Sequence, residues 1–218
     1  EFKKSELGQI PKSWEVVELS SLVGSLSGGV SVNSENRNRV GSELGILKTS
    51  CISNGKFLSN QHKAVLSEDA HRVRTPVVAE TILFSRMNTP NLVGESGYVK
   101  QSFDNLYLPD RLWALKLRDK SKTSVRWLSW LLVSRSVKSD ISNAATGTSG
   151  SMKNISKPNL LAIKVRQPPV NEQFQIASVI NSLDYKRVSA QTKMNALVSL
   201  KKSLMQDLLT GKVRVMVN

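Results

Sequence analysis

In the run Arg86-Met87-Asn88-Thr89-Pro90-Asn91, a guanidinium fork and two carboxamides stand close together behind an apolar stretch. Arg can pair with the O6 and N7 of guanine and Asn with the N6 and N7 of adenine, so these types in this order suit reading base edges in a major groove. Further along, Ser149, Lys153 and Asn154 combine small polar donors with a cation, a set suited to phosphate oxygens. Lys48 and Arg111 are further basic candidates. Each of these residues also has a plain use. Asn and Ser close turns through their own side chains, and exposed basic residues are ordinary on a strongly charged surface. Base identity is not legible from residue types alone.

Residues for bond-making chemistry are missing. Gln167-Pro168-Pro169-Val170 lacks the acidic or Asn start and the aromatic end with which amino-methyltransferases stack an extruded base. The segment from Gly147 to Lys153 lacks the Gly-Lys-Ser/Thr ending of a phosphate loop. Asp184-Tyr185-Lys186 has the form of a nuclease Asp-x-Lys, but it falls on a predicted long helix without matching carboxylates nearby. His62 and His71 make no metal pair, and the single Cys51 excludes an internal disulfide or a cysteine-cluster zinc site. Cys51 is expected to be a small packed residue. A non-catalytic chain without cofactor or metal is expected.

The charge agrees with a polyanionic partner. Thirty-one Lys and Arg against seventeen Asp and Glu give +14 and a pI near 10.1, which makes nucleic acid the first partner to test. Residues 171–218 hold only seven basic and three acidic side chains, so the body carries twenty-four against fourteen. With 218 residues and 39% apolar content, the chain can hold one substantial domain with an appendage. No apolar run has signal or membrane length, and the lone cysteine fits a reducing compartment, so a cytoplasmic protein is expected. Glu1-Phe2 opens the chain without an initiator Met, as a fragment or a cloning remnant would.

These candidates need elements to hold them. Trp14, a predicted core anchor, precedes a short strand that ends against Ser20-Ser21-Leu22, and 24–39 is rich in Gly, Ser and Asn, as in a surface loop. A strand and turn are expected around Gly45-Ile46-Leu47 and Gly55-Lys56-Phe57. Residues 77–85 form the clearest strand and deliver Arg86 to Asn91 into a loop. Further strands are expected over 92–99, 113–117 and 160–165, with a buried helix over 123–137 that continues over 140–145. After Pro168-Pro169, 171–209 reads as one helix, with Asn171 as cap and Thr210-Gly211 as exit. Alternating steps of four and three from Ile176 reach Ile180, Leu183, Arg187, Ala190, Met194, Leu197, Lys201, Leu204 and Leu208, a coiled-coil seam with two basic interruptions. Such a helix is about 55 to 60 Å long, so much of it must project, and either a partner helix or the chain's own body has to cover the seam. The fold class expected is α+β: a body of small mixed sheets followed by one long C-terminal coiled-coil helix.

Taken together, 10–19, 45–57, 79–97, the run from Gly147 to Ser156, Pro168-Pro169 with Glu172-Gln173 and Ile176-Ala177, and the run from Leu204 to Lys212 resemble the specificity subunit of Type I restriction-modification systems. The resemblance spans nearly the whole chain, and the order and spacing of the motifs carry it. It implies a DNA target recognition domain over 1–167, a conserved spacer or dimerisation helix over 168–211 and a tail over 212–218. A full-length subunit of that family has two such units with their helices packed antiparallel. Only one is present here, so the chain is half of a longer subunit or a natural half-length version.

The resemblance further implies recognition of half of a bipartite site in double-stranded DNA, with chemistry left to separate methyltransferase (modification) subunits and a restriction subunit. The seam residues Ile176, Ile180, Leu183, Met194, Leu197, Leu204 and Leu208 would then form a homodimer through antiparallel helices. From another class, a non-catalytic coiled-coil scaffold that holds nucleic acid without selectivity has the same charge and the same helix.

Overall fold

The computed structural model describes residues 1–147 and 151–215. The chain opens with β1 (Phe2–Ser5), β2 (Gly8–Pro11), β3 (Glu15–Glu18), the single turn α1 (Leu19–Leu22) and β4 (Val23–Gly28). Next come β5 (Ser34–Glu35), β6 (Gly45–Leu47), β7 (Ile52–Ser53), β8 (Lys56–Phe57) and β9 (His62–Val65). They are followed by β10 (Pro76–Val77), β11 (Thr81–Ser85), β12 (Met87–Asn88), β13 (Ser96–Val99), β14 (Phe103–Tyr107) and β15 (Leu112–Leu117). Helices α2 (Val125–Leu132) and α3 (Arg135–Ala144) precede β16 (Lys153–Asn154), α4 (Lys157–Leu161), β17 (Lys164–Gln167) and α5 (Val170–Leu209).

Two sheets carry the body. One runs β4-β15-β11-β13-β8-β7 and the other β10-β14-β6-β9-β5. Both are mixed, because β13 pairs with β8 and β14 with β6 in parallel while the remaining pairs are antiparallel. Leu47, Val77 and Leu106 from the second sheet meet Ile52, Leu83, Val99, Leu112 and Ala114 from the first, with Cys51 and Leu108, in one buried cluster. Leu83 points into that cluster, so by strand alternation Ile82 and Phe84 lie on the opposite face of β11. There Phe84 stacks on Trp113 at 6.0 Å between ring centroids, and α2 packs over β11 and β13. Covering both faces explains why all five residues of β11 are buried, with Ile82-Leu83-Phe84 as a continuous apolar run between Thr81 and Ser85. Cys51 is the packed residue expected of it: burial pushes its thiol well above the ordinary range.

Several local expectations give way to tertiary contacts. The expected surface loop over 24–39 begins instead as β4, an edge strand along β15 that buries Val23 and Leu26. Its glycines serve close approach, since a Cβ on Gly24 would lie 2.8 Å from the Leu117 carbonyl oxygen and one on Gly29 would collide with that of Leu108. The strand expected over 77–85 is broken before Thr81, where Glu80 adopts a positive φ of 59°. The helix expected over 123–137 splits at Val133 and Ser134 into α2 and α3. Residues 160–165 begin inside α4, capped by the Ser156 hydroxyl accepting from the Asn159 amide, and become strand only at Lys164. Strand β14 comes as an addition.

The chain divides into two compact units, Glu1–Gln175 and Ile176–Asn218. In the first, the start of α5 is tied down by polar groups. Val170 opens the helix, so Asn171 lies inside the first turn and does not cap it. Gln173 is fully buried; its Nε2 donates to the Pro168 carbonyl (2.8 Å), and its Oε1 accepts from the Ser124 amide (2.9 Å). Trp14 is half-buried, and its Nε1 donates to Glu172 Oε2 at 3.0 Å, so it acts as a tether more than as a core anchor. In the second unit α5 runs unbroken to Leu209, where Gly211 adopts φ 73° and its amide donates to the Leu208 carbonyl, the expected exit. Ile176 and Ile180 are half-buried. From Leu183 onward the seam is exposed: Leu183 61%, Met194 58%, Leu197 53%, Leu204 48% and Leu208 42%.

Candidate nucleic-acid interface

The two stretches singled out for their chemistry are neighbours in the fold. Leaving β11, the chain passes Arg86 and enters β12, which pairs antiparallel with β16 so that Met87 faces Asn154 and Asn88 faces Lys153. The Ile155 amide donates to the Arg86 carbonyl (3.0 Å), and Asn154 exchanges two backbone bonds with Thr146. Arg111 joins them from the start of β15, its carbonyl accepting from the Arg86 amide at 3.1 Å. Six of the candidates therefore share one locality: Arg86, Asn88, Asn91, Arg111, Lys153 and Asn154. Lys48 does not belong to it. It follows β6 in the other sheet and leads into a 3-10 turn over Thr49–Cys51. Ser149 lies outside the described residues.

Within the locality the side chains divide by the work they already do. The Arg86 Nε donates to the Asp110 carbonyl (2.8 Å), and its guanidinium lies 5.7 Å from the Trp113 ring centroid, which orients the fork and leaves its terminal nitrogens for an outside acceptor. Asn88 is a turn residue, its Nδ2 donating to Ser85 Oγ (3.2 Å) and its Oδ1 accepting from the Thr89 amide (2.9 Å). Lys153 donates through Nζ to the Ser142 carbonyl (2.9 Å) in the last turn of α3, where a cation also meets the negative end of the helix dipole. Asn154 Oδ1 is buried without a hydrogen-bond partner. Asn91 and Arg111 are exposed. Thus Arg86, Asn91 and Arg111 present their polar ends outward, whereas Asn88 is occupied in the turn and Lys153 gives one of its three N–H groups to the end of α3.

The loop between β12 and β13 is itself fixed against α3. The Thr89 carbonyl accepts from the Leu92 and Val93 amides (both 2.9 Å), which tightens the turn behind Asn91. Gly94 has φ 82°, and a Cβ there would lie 2.4 Å from Ile141 Cγ2, so the loop base sits directly on the helix. Beside it the buried Glu95 carboxylate pairs with Lys138 of α3. Between loop and helix lies an open cleft of about 310 Å³. Arg135, Lys138 and Glu95 were not singled out in the sequence. The recurrence of polar residues at 135, 138, 139, 142 and 143 was the available signal, and it looks like any solvated helix face until the loop is placed opposite.

Among the described residues no helix is long and apolar enough to cross a membrane. The family model described as the Type I restriction modification DNA specificity domain matches residues 11–199. The MjaVIII type I restriction enzyme specificity subunit of Methanocaldococcus jannaschii is 29% identical over 98% of this chain and 49% of its own length. The chain spans about half the length of the curated relatives it matches. Two solved structures share the fold. The Type I restriction-modification S subunit of M. genitalium has a TM-score of 0.61 at 18% identity, covering 89% of this chain and 45% of that one. The HsdS subunit of Thermoanaerobacter tengcongensis has a TM-score of 0.60 at 16% identity, covering 90% and 50%. With the α+β body and the long terminal helix in the expected order, the chain belongs to the family of Type I restriction modification DNA specificity domains.

Proposed function

We propose that this chain reads one half of a bipartite site in double-stranded DNA and directs separate methyltransferase and restriction subunits to it, with no chemistry of its own. In this reading 1–167 is the recognition domain, 168–211 the spacer helix and 212–218 a tail. The observation that carries the reading is that a family member of charge +14 gathers Arg86, Asn91 and Arg111, ends outward, around a loop braced by β16 and α3. Arg86 is the leading base contact, because its fork is oriented from behind and its terminal nitrogens can meet a guanine edge bidentately. The exposed seam from Leu183 to Leu208 supports an antiparallel homodimer, which would present two such domains to inverted half-sites. Selection from a randomised duplex pool tests the reading: enrichment of a defined half-site supports it, and uniform retention leaves a non-selective scaffold. Co-purification with a methyltransferase subunit tests the assignment of partners.

A further inference from the structure

The cleft between α3 and the loop joining β12 to β13 has a one-sided lining. Arg135, Lys138, Ser139, Ser142 and Asn143 recur at helical spacing and form one face of α3, and Asn91 stands on the loop side. Among the described residues no carboxylate lines it. Asp140, the acid of α3, falls about 140° around the helix from Arg135 at 3.6 residues per turn. Glu95 meets Lys138 but is itself buried and outside the lining, so the charge of Lys138 is already matched. Arg135 is exposed and enters no ion pair among the described residues, which leaves its charge for a ligand.

Size and shape narrow the ligand. At about 310 Å³, the cleft is at the small end of the roughly 300 to 1,000 Å³ that enclose small molecules, and it opens broadly to solvent. An anionic group presented by a longer molecule running past fits this shape. The geometry points to a seat for one backbone phosphate of the bound DNA, with the Arg135 guanidinium as the cation and Ser139 and Asn143 as neutral donors. This rests on the DNA-reading function proposed above. A phosphate held there fixes the strand against α3 and sets the register at which the neighbouring Arg86 and Asn91 meet base edges. Glu95 and Lys138 hold the two walls of the cleft together.

Salt dependence separates a phosphate seat from a base contact or a packing role. Arg135→Gln should weaken cognate and random duplexes by the same factor and lower the slope of log affinity against log salt by about 0.9. Between 50 and 200 mM salt the variant should then lose about 3.5-fold less affinity than the native chain. Arg135→Lys should keep the slope. Ser139→Glu, which puts a carboxylate into the cleft, should weaken both duplexes while circular dichroism and the unfolding midpoint stay native. An unchanged slope in Arg135→Gln overturns the seat, as does a loss confined to the cognate duplex. If the native chain enriches no sequence at all, the half-site reading fails, yet the slope difference still decides whether phosphate sits in this cleft.

Discussion

Gly94→Ala probes the joint on which the recognition loop depends. Gly94 has φ 82°, a region that costs an L-residue about 1 to 2 kcal/mol. The new methyl would also lie 2.4 Å from Cγ2 and 3.3 Å from Cβ of Ile141, a fully buried side chain on α3. Overpacking of this kind costs about 1 to 3 kcal/mol, so the single substitution should destabilise the body by about 2 to 5 kcal/mol. Ile141→Ala alone should cost about 2 to 5 kcal/mol through lost burial and the cavity left behind. Combined, the added methyl enters the vacated space, and the double variant should be more stable than the sum of the singles by about 1 to 3 kcal/mol, while the backbone strain remains. Urea unfolding followed by tryptophan fluorescence is the assay. Trp14, Trp113, Trp127 and Trp130 all lie in the unit Glu1–Gln175, so the signal reports on that unit and not on the helix beyond it. Additivity within about 0.5 kcal/mol would mean that loop and helix are not in contact there, and the bracing of the interface by α3 would fall with it.

Arg86→Ala and Asn91→Ala should each cost about 1 to 3 kcal/mol on the selected duplex and little on random DNA; equal losses on both would demote them to positioning. Lys153→Met should mainly lower the unfolding midpoint, because its amine holds the end of α3, and a native midpoint with reduced salt slope would return it to the phosphate contacts. The exposed seam would leave side chains in water at about 1.5 to 3 kcal/mol each. A dimer is therefore expected in sedimentation, abolished by Leu183→Asp with Leu197→Asp while the body stays folded; a native monomer at tens of micromolar with an intact helix would refute self-association. Glu43, which accepts from Arg37 and the Val40 amide, is held down to about 2 from an ordinary value of 4.5. The stability it lends is full above that ordinary value and is lost as pH falls toward the lowered one, so Glu43→Gln should flatten the decline in unfolding midpoint between about pH 5 and pH 2. An unchanged decline would show that the pair does not contribute.

The long helix and the centre of β11 were legible because each announces itself locally, one by seam spacing between a proline stop and a glycine exit, the other by the apolar run Ile82-Leu83-Phe84. The family resemblance was legible for a different reason, since it lay in the order of short motifs along the chain. Candidate residues were legible as types alone. What a side chain is already bonded to is not local. Asn88 and Lys153 have the chemistry of contacts, yet the fold commits one to Ser85 and Thr89 and the other to Ser142. The same holds for Gly24 and Gly29, which resemble loop residues but admit the backbones of neighbouring strands.

By itself the sequence determined the α+β class, the positive charge and the terminal helix with its exit, because composition and periodicity are properties of neighbours along the chain. Tertiary structure alone decided that Met87-Asn88 ladders with Lys153-Asn154, that Glu95 lies buried against Lys138, and that a face of α3 becomes the wall of a cleft. Those pairings join residues tens of positions apart, and their partners are selected by backbone hydrogen bonds and burial, which no local pattern encodes.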